Sequence, residues 1–366
     1  MKGERGTEQS VVGIVCGRGS RKAVRCNILL MYFFKNEITI DKKEELEDYL
    51  NAFAHETSGL TFSSLYMWRK ANFFSYEIIN DFLCVAGQSN FEGFKEDSFV
   101  FPLLPLKGDC NGEKMKRTLE EVIKRFEERG EPFVMRLIPP HMQSSYMSVM
   151  PGKFLFLNDR ANHDYVYSVD ELAELKGKKF HSKKNHVNRF NRDYEGRYEV
   201  VPMSAELVGE ALKMLKYIDD KKQVDGFEAE MLRMEAEALQ DILPVYDRLG
   251  LEGCAILIDG RLEAYAFGGA LGDDTIVEHV EKANTDFAGL YQKINNEFCR
   301  MMQGKYKYVN REEDMGLEGL RKAKTSYKPV KMIEKSIAML VDDKEAIERY
   351  SFDEESESGS VETVAC

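Results

Sequence analysis

Hydrophobic and polar positions along this 366-residue chain fall into two series of elements with the same order. In the first, a 3.6-residue period predicts a helix over 43–54, and alternation predicts a hairpin with strands over 73–79 and 82–87, turning at Asn80-Asp81. A strand over 98–104, a polar break over 107–112, a helix over 113–129 and a buried strand over 133–138 follow. The second series has a hairpin over 253–258 and 262–268 around Asp259-Gly260, a strand over 275–281, a helix over 286–302 and a closing strand over 306–310. Matching elements are offset by about 172 to 177 residues without obvious identity between the halves, which predicts a duplicated α/β fold, each copy a mixed sheet flanked by helices. The expected division is a leader over 1–30, a first unit over 31–165, a second over 166–340 and an acidic, disordered tail over 341–366.

One segment breaks the even mixture of charge. KGKKFHSKKNHVNRFNRDY, residues 176–194, holds seven Lys/Arg and two His against one acid, Asp193, in a chain of net charge -12. After a break at Gly177, Phe180, Val187, Phe190 and Tyr194 recur at i, i+7, i+10 and i+14, one face of a helix. The near-absence of Glu removes the i,i+4 salt bridges that a solvated helix carries. The polar side therefore reads as a phosphate-contacting surface with Lys183, Lys184, Arg189 and Arg192 as its cations. RNA backbone, a phospholipid headgroup and a cofactor pyrophosphate all fit, and the lack of aromatic residues on that side argues against base stacking.

Net charge says less than this local charge. Residues 341–366 carry nine Asp/Glu against Lys344 and Arg349, and so supply seven of the twelve net negative charges. The seven cysteines are scattered, with no C-x-x-C pair and no His at ligand spacing, which argues against a disulfide frame or a metal site and for a reducing, cytoplasmic compartment. The apolar run at 28–34 is far shorter than the roughly 20 residues of a membrane-spanning helix. The basic leader before it lacks a signal-peptide cleavage pattern, and a start at Met31 accounts for it.

A second unusual run, YVNREEDMGLEGLRKAKTSYKP over 308–329, leaves a strand through Asn310-Arg311-Glu312-Glu313-Asp314 and enters a helix bearing Arg321, Lys322 and Lys324. Clefts in α/β folds open at strand C-termini, where Glu313 or Asp314 could take a proton from an incoming nucleophile. His279, between Glu278 and Glu281, reads as a partnered structural histidine, and no Ser/His/Asp or Cys/His nucleophile set is legible.

Together with EKANTDFAGLYQKINNEF over 281–298, these two runs resemble the family built on the phosphatidylglycerol lysyltransferase C-terminal domain, over residues 37–340. That family is similar to the Fem-type aminoacyltransferases, and the resemblance implies two tandem GNAT-like acyltransferase folds. It also implies transfer of an aminoacyl group from aminoacyl-tRNA to a lipid, peptide or small-molecule acceptor, with no resident cofactor. Well-studied members carry an additional multi-helix membrane domain, which is not legible in these 366 residues, so an anionic lipid surface is expected as one admissible partner among several. Under this reading Lys183, Lys184, Arg189 and Arg192 meet donor phosphate, and Glu313 or Asp314 acts on the acceptor. Asn310, Arg311, Arg321, Lys322 and Lys324 then line the substrate site. The rival readings are an acyl-CoA N-acyltransferase, whose pyrophosphate turn would be Asn284-Thr285-Asp286-Phe287-Ala288-Gly289, and a non-catalytic anion- or RNA-binding relative.

Overall fold

The computed structural model describes residues 32–355 apart from 53–54, 92–93, 107–110 and 223–225, so the expected leader, its Met31 start, most of the polar break and the last eleven residues lie outside the described residues. The first half runs β1 (Asn36–Glu37), α1 (Lys43–Leu50), α2 (Phe62–Trp68), β2 (Ser75–Ile79), β3 (Phe82–Phe91), β4 (Phe94–Val100), β5 (Leu104–Pro105), α3 (Gly112–Arg129), β6 (Val134–Ile138), α4 (Pro140–Val149) and β7 (Phe154–Asn158). The second begins with β8 (Asp164–Ser168), α5 (Val169–Glu174), α6 (His181–Asp193), β9 (Tyr198–Pro202), α7 (Val208–Lys222), α8 (Gly226–Ile242) and α9 (Tyr246–Leu249). It continues through β10 (Glu252–Ile258), β11 (Arg261–Leu271), β12 (Thr275–Ala283), α10 (Leu290–Met302), β13 (Tyr308–Asn310), α11 (Glu318–Ser326), β14 (Lys331–Ile333), β15 (Ser336–Leu340) and α12 (Lys344–Glu355).

Local chemistry accounts for these boundaries. Both predicted hairpins turn on two residues of positive φ, Asn80 and Asp81 in one and Asp259 and Gly260 in the other, the backbone that matches the strands' own twist. Asn111 caps α3 by accepting from the amides of Glu113 and Lys114, and Gly130 ends the helix at φ 65°. Helix α6 buries Val187 and Phe190, with Phe180 buried in the turn before it, as the apolar spacing requires.

Two mixed sheets result. The first has the order β1-β2-β3-β4-β6-β15-β7, with β5 against β3, and the second has the order β14-β8-β13-β12-β11-β10-β9. The repeat reaches strand direction: β4 with β6 and β12 with β13 run parallel. One apolar cluster joins the first sheet and its helices to Met203, Tyr246, Tyr265, Phe267 and Val280 of the second half. Another, including Phe180, Phe190, Ala266, Ile294 and Phe298, covers the far face of the second sheet.

Two expectations need correction. The division at 165 and 340 misses an exchange of strands: β8 opens the second sheet at Asp164, while β15, late in the chain, inserts between β6 and β7 of the first. Alternation identifies a strand but not its partner. The acidic tail is also ordered in part, because Asp343 caps α12 through the amide of Ala346, Ala346 is buried and Tyr350 packs on the first core.

The crossing into β15 is pinned by charge. Lys335 and Asp164 are both buried and pair at 2.6 Å, and Asp164 also accepts from the amide and hydroxyl of Ser58 and from Asn310 Nδ2. Lys335→Met is expected to cost about 3–5 kcal/mol in denaturant unfolding, because it strands a buried carboxylate. Adding Asp164→Asn to that variant should return part of the loss, since the amide carries no charge.

Candidate active site

Parallel strands β12 and β13 pair only over Thr275–Val277 and Tyr308–Asn310, then separate. At the point of separation β12 bulges: Phe267 faces Val280 and Gly268 faces Glu278, leaving His279 as the extra residue. Gly268 has no room for a side chain, as a Cβ would stand 1.8 Å from the Val277 carbonyl oxygen. This opening collects polar groups from both halves.

On one side lies Arg311, whose Nε is 2.5 Å from Glu278 and whose Nη2 is 2.9 Å from Glu281. Its guanidinium sits 5.0 Å from the Tyr327 ring, and Lys183 Nζ of α6 lies 3.8 Å from the same ring. Burial, then the charge of Arg311, lowers the Lys183 ammonium below its ordinary value. A buried and a half-buried carboxyl thus share one guanidinium. Burial pushes Glu278 up to about 8; Arg311 opposes the rise and Glu281 adds to it.

The loop leaving β13 is held from below. Asn310 is buried and accepts from the Glu312 amide, and Glu312 and Met315 take positive φ. Asp314, fully buried, accepts from Tyr165 Oη at 2.6 Å, Arg160 Nη1 at 3.2 Å, Arg321 Nε and Nη2 at 2.9 and 3.0 Å, and the Gly316 amide at 3.0 Å. Against the upward push of burial, these donors, Arg321 foremost, keep its carboxyl below the usual range. Glu313 differs: burial, opposed by Lys335 and reinforced by Glu312, pushes it up to about 7. Lys324 Nζ donates to the carbonyl oxygens of Arg311 and Glu313, and burial lowers its ammonium.

Across the bulge, toward the first unit, His279 Nε2 lies 2.8 Å from Ser63 Oγ of α2, and its Nδ1 lies 3.0 Å from Glu312 Oε1. Among the described residues no cluster of His, Cys, Asp or Glu could hold a metal ion, and no helix is long and apolar enough to cross a membrane.

Residues 50–339 match the family described as phosphatidylglycerol lysyltransferase, C-terminal. The chain belongs to that family. A conserved protein of unknown function from Bacteroides thetaiotaomicron is 32% identical, with 83% of this chain and 98% of that one covered and a TM-score of 0.73. L-PGS from Bacillus licheniformis is 14% identical over 88% of this chain and 98% of its own, with a TM-score of 0.60. FemX is 8% identical over 85% and 98%, with a TM-score of 0.55. At these low identities the last two show the fold, which is the expected tandem GNAT-like one, and with the family they indicate a transferase of that fold. A curated relative, an uncharacterized protein of Mycoplasmoides gallisepticum, is 21% identical over 181 residues, which is 49% of this chain and 56% of that protein.

Within this family fold, the structure gathers Lys183, Asn310, Arg311, Glu313, Asp314, Arg321 and Lys324 at or beneath the splay. Lys322 pairs with Glu318 on the exposed side of α11. Lys184 is exposed on α6, and Arg189 and Arg192 flank Asp193 on that helix's outer surface. Of the two acids proposed to take a proton, Asp314 is saturated with donors and holds the loop, which leaves Glu313. Sequence reasoning missed Lys335, Glu278 and the Ser63-His279-Glu312 set. His279 is partnered, as expected, but by residues 216 and 33 positions away. The adjacent Gly268-Gly269 was the one signal, since glycines within a strand mark bulges and close approaches.

The raised carboxyls have a thermodynamic consequence. Between the ordinary 4.5 and about 7 for Glu313 or about 8 for Glu278, the folded protein holds protons that the unfolded chain releases. Their contribution to stability is complete below the ordinary 4.5 and is lost as pH rises through about 7 to 8. Thermal melts of Glu278→Gln/Glu313→Gln across that range should show a shallower decline than wild type, and parallel curves would contradict the assignment.

Proposed function

We propose that this protein moves an aminoacyl group from aminoacyl-tRNA to a hydroxyl or amine acceptor. The observation that carries this reading is the junction at Tyr327, where Lys183 of the basic helix and Arg311 of the strand splay meet one aromatic ring. Phosphate bound along the exposed cations of α6 would bring a donor's terminal ester toward Glu313.

An aminoacyl ester is already activated, so the protein's task is to hold donor and acceptor in attack geometry and to manage one proton. The acceptor oxygen or nitrogen bonds to the ester carbonyl carbon as Glu313 takes its proton, and the ribose oxygen leaves and is protonated in turn. A carboxyl pushed up to about 7 suits that role at neutral pH. Lys183 and Arg311 contribute positive charge beside the developing oxyanion. The family's description names phosphatidylglycerol, which makes a glycerol hydroxyl the first acceptor to try.

The geometry gives less support to the acyl-CoA reading. At the start of α10, a Cβ on Gly289 would stand 2.6 Å from the His186 carbonyl oxygen, so α6 presses on the turn where a pyrophosphate would sit. Asp286 in that turn, paired with Lys221 and Tyr217, adds negative charge.

Binding of charged tRNA should be micromolar or tighter, salt-steep and indifferent to acetyl-CoA. Lys183→Glu/Lys184→Glu is expected to weaken it by about 10-fold or more and to reduce the salt slope by about two. An unchanged slope would remove the donor assignment. Glu313→Gln should leave tRNA binding intact while slowing transfer to phosphatidylglycerol or another hydroxyl acceptor by about 10²–10⁴-fold.

A further inference from the structure

We infer that Ser63, His279 and Glu312 form an ester-reactive centre of their own, in which Ser63 is a nucleophile for the acyl group of a small carboxylic ester. The proposal does not depend on tRNA as donor. Three observations carry it.

The first is the chain of contacts. With Nδ1-H donating to Glu312 at 3.0 Å, His279 keeps a lone pair on Nε2, which lies 2.8 Å from Ser63 Oγ. Thr61 Oγ1 also lies 3.2 Å from Ser63 Oγ but is already engaged with the Ser58 carbonyl oxygen and the Ser64 amide, so His279 Nε2 is the nearer acceptor for the Ser63 hydroxyl. The Ser63 proton is thus directed at the imidazole, with a carboxylate fixing the tautomer behind it.

The second is the convergence of unusual backbone on this contact. His279 is the bulged residue of β12, Glu312 is a non-glycine residue at φ 56°, and a Cβ on Gly269 would stand 2.6 Å from Ser63 Oγ. A plain packing contact between α2 and the sheet needs none of these, whereas strain persists where the surroundings enforce a working geometry.

The third is access. Ser63, 7% exposed, lines a cleft of about 170 Å³ together with Lys43, Asn51, Thr61, Phe62 and Leu271. That volume suits a short acyl group rather than a long chain.

The step balances without a further reactant. Ser63 Oγ bonds to the ester carbonyl carbon as its proton passes to His279 Nε2, and the ester's alkoxide leaves carrying that proton. Water or an acceptor hydroxyl then attacks the acyl-serine, gives its proton to His279, and Ser63 departs and is reprotonated.

The test uses the full chain, p-nitrophenyl acetate and peptide mapping by mass spectrometry. A nitrophenolate burst with one acetyl group on Ser63 is expected, absent in Ser63→Ala and slowed by about 10²–10⁴-fold in His279→Gln. Glu312→Gln should slow it as well while leaving the melting transition cooperative. The proposal fails if folded wild-type protein gains no acetyl group at Ser63, or if His279→Gln acylates at the wild-type rate. Because no tRNA is present, either result is independent of the aminoacyl-transfer reading.

Discussion

Asp164 is a carboxylate held away from water by four donors: the amide and hydroxyl of Ser58, Asn310 Nδ2 and Lys335 Nζ. An uncompensated charge in such a position costs several kcal/mol, so the segments that bring these donors cannot part without exposing that penalty. They are the turn before α2, the end of β13 and the lead into β15. One buried ion therefore sets where the first unit stands against the second sheet. It also sets how α2 presents Ser63 to His279, and the field of Asp164 and Lys335 reaches the Glu313 carboxyl.

From that pin the rest of the site follows by geometry. Strands β12 and β13 can separate because their shared ladder is short and the bulge at His279 turns β12 away. The bulge sends Glu278 toward Arg311 and Tyr327, and His279 toward Ser63. Consecutive residues thus serve two polar centres on opposite sides of one strand. Asp314 keeps the loop closed beneath them with donors from Arg160, Tyr165 and Arg321, a holding role that Glu313 and Glu312 do not share.

Charge acts locally in this molecule. The excess of acid lies largely at the C-terminal end, whereas α6 keeps Lys184, Arg189 and Arg192 exposed and turns Lys183 inward onto Tyr327. Long-range attraction of an anion would come from the exposed members, screened within about 8–10 Å at ordinary salt. Short-range recognition would come from Lys183 and Arg311, which are partly desolvated and so interact more strongly.

The sequence by itself determined what depends on neighbours a few positions away. Its alternation and 3.6-residue period marked both hairpins, α3, α10 and the apolar edge of α6, and the repeated order of elements pointed to a duplicated mixed-sheet fold. The Asn310 to Lys324 run was legible as a candidate site because its acids and bases are contiguous and follow a strand. Tertiary structure alone decided the insertion of β15 into the first sheet, the pairing of Lys335 with Asp164 across 171 positions, and the approach of Ser63 to His279 across 216. It also decided that Asp314 would be saturated with donors while Glu313 was pushed up to about 7. Those outcomes follow from burial and from charges brought close by folding, and neither quantity is a property of residues adjacent in the chain.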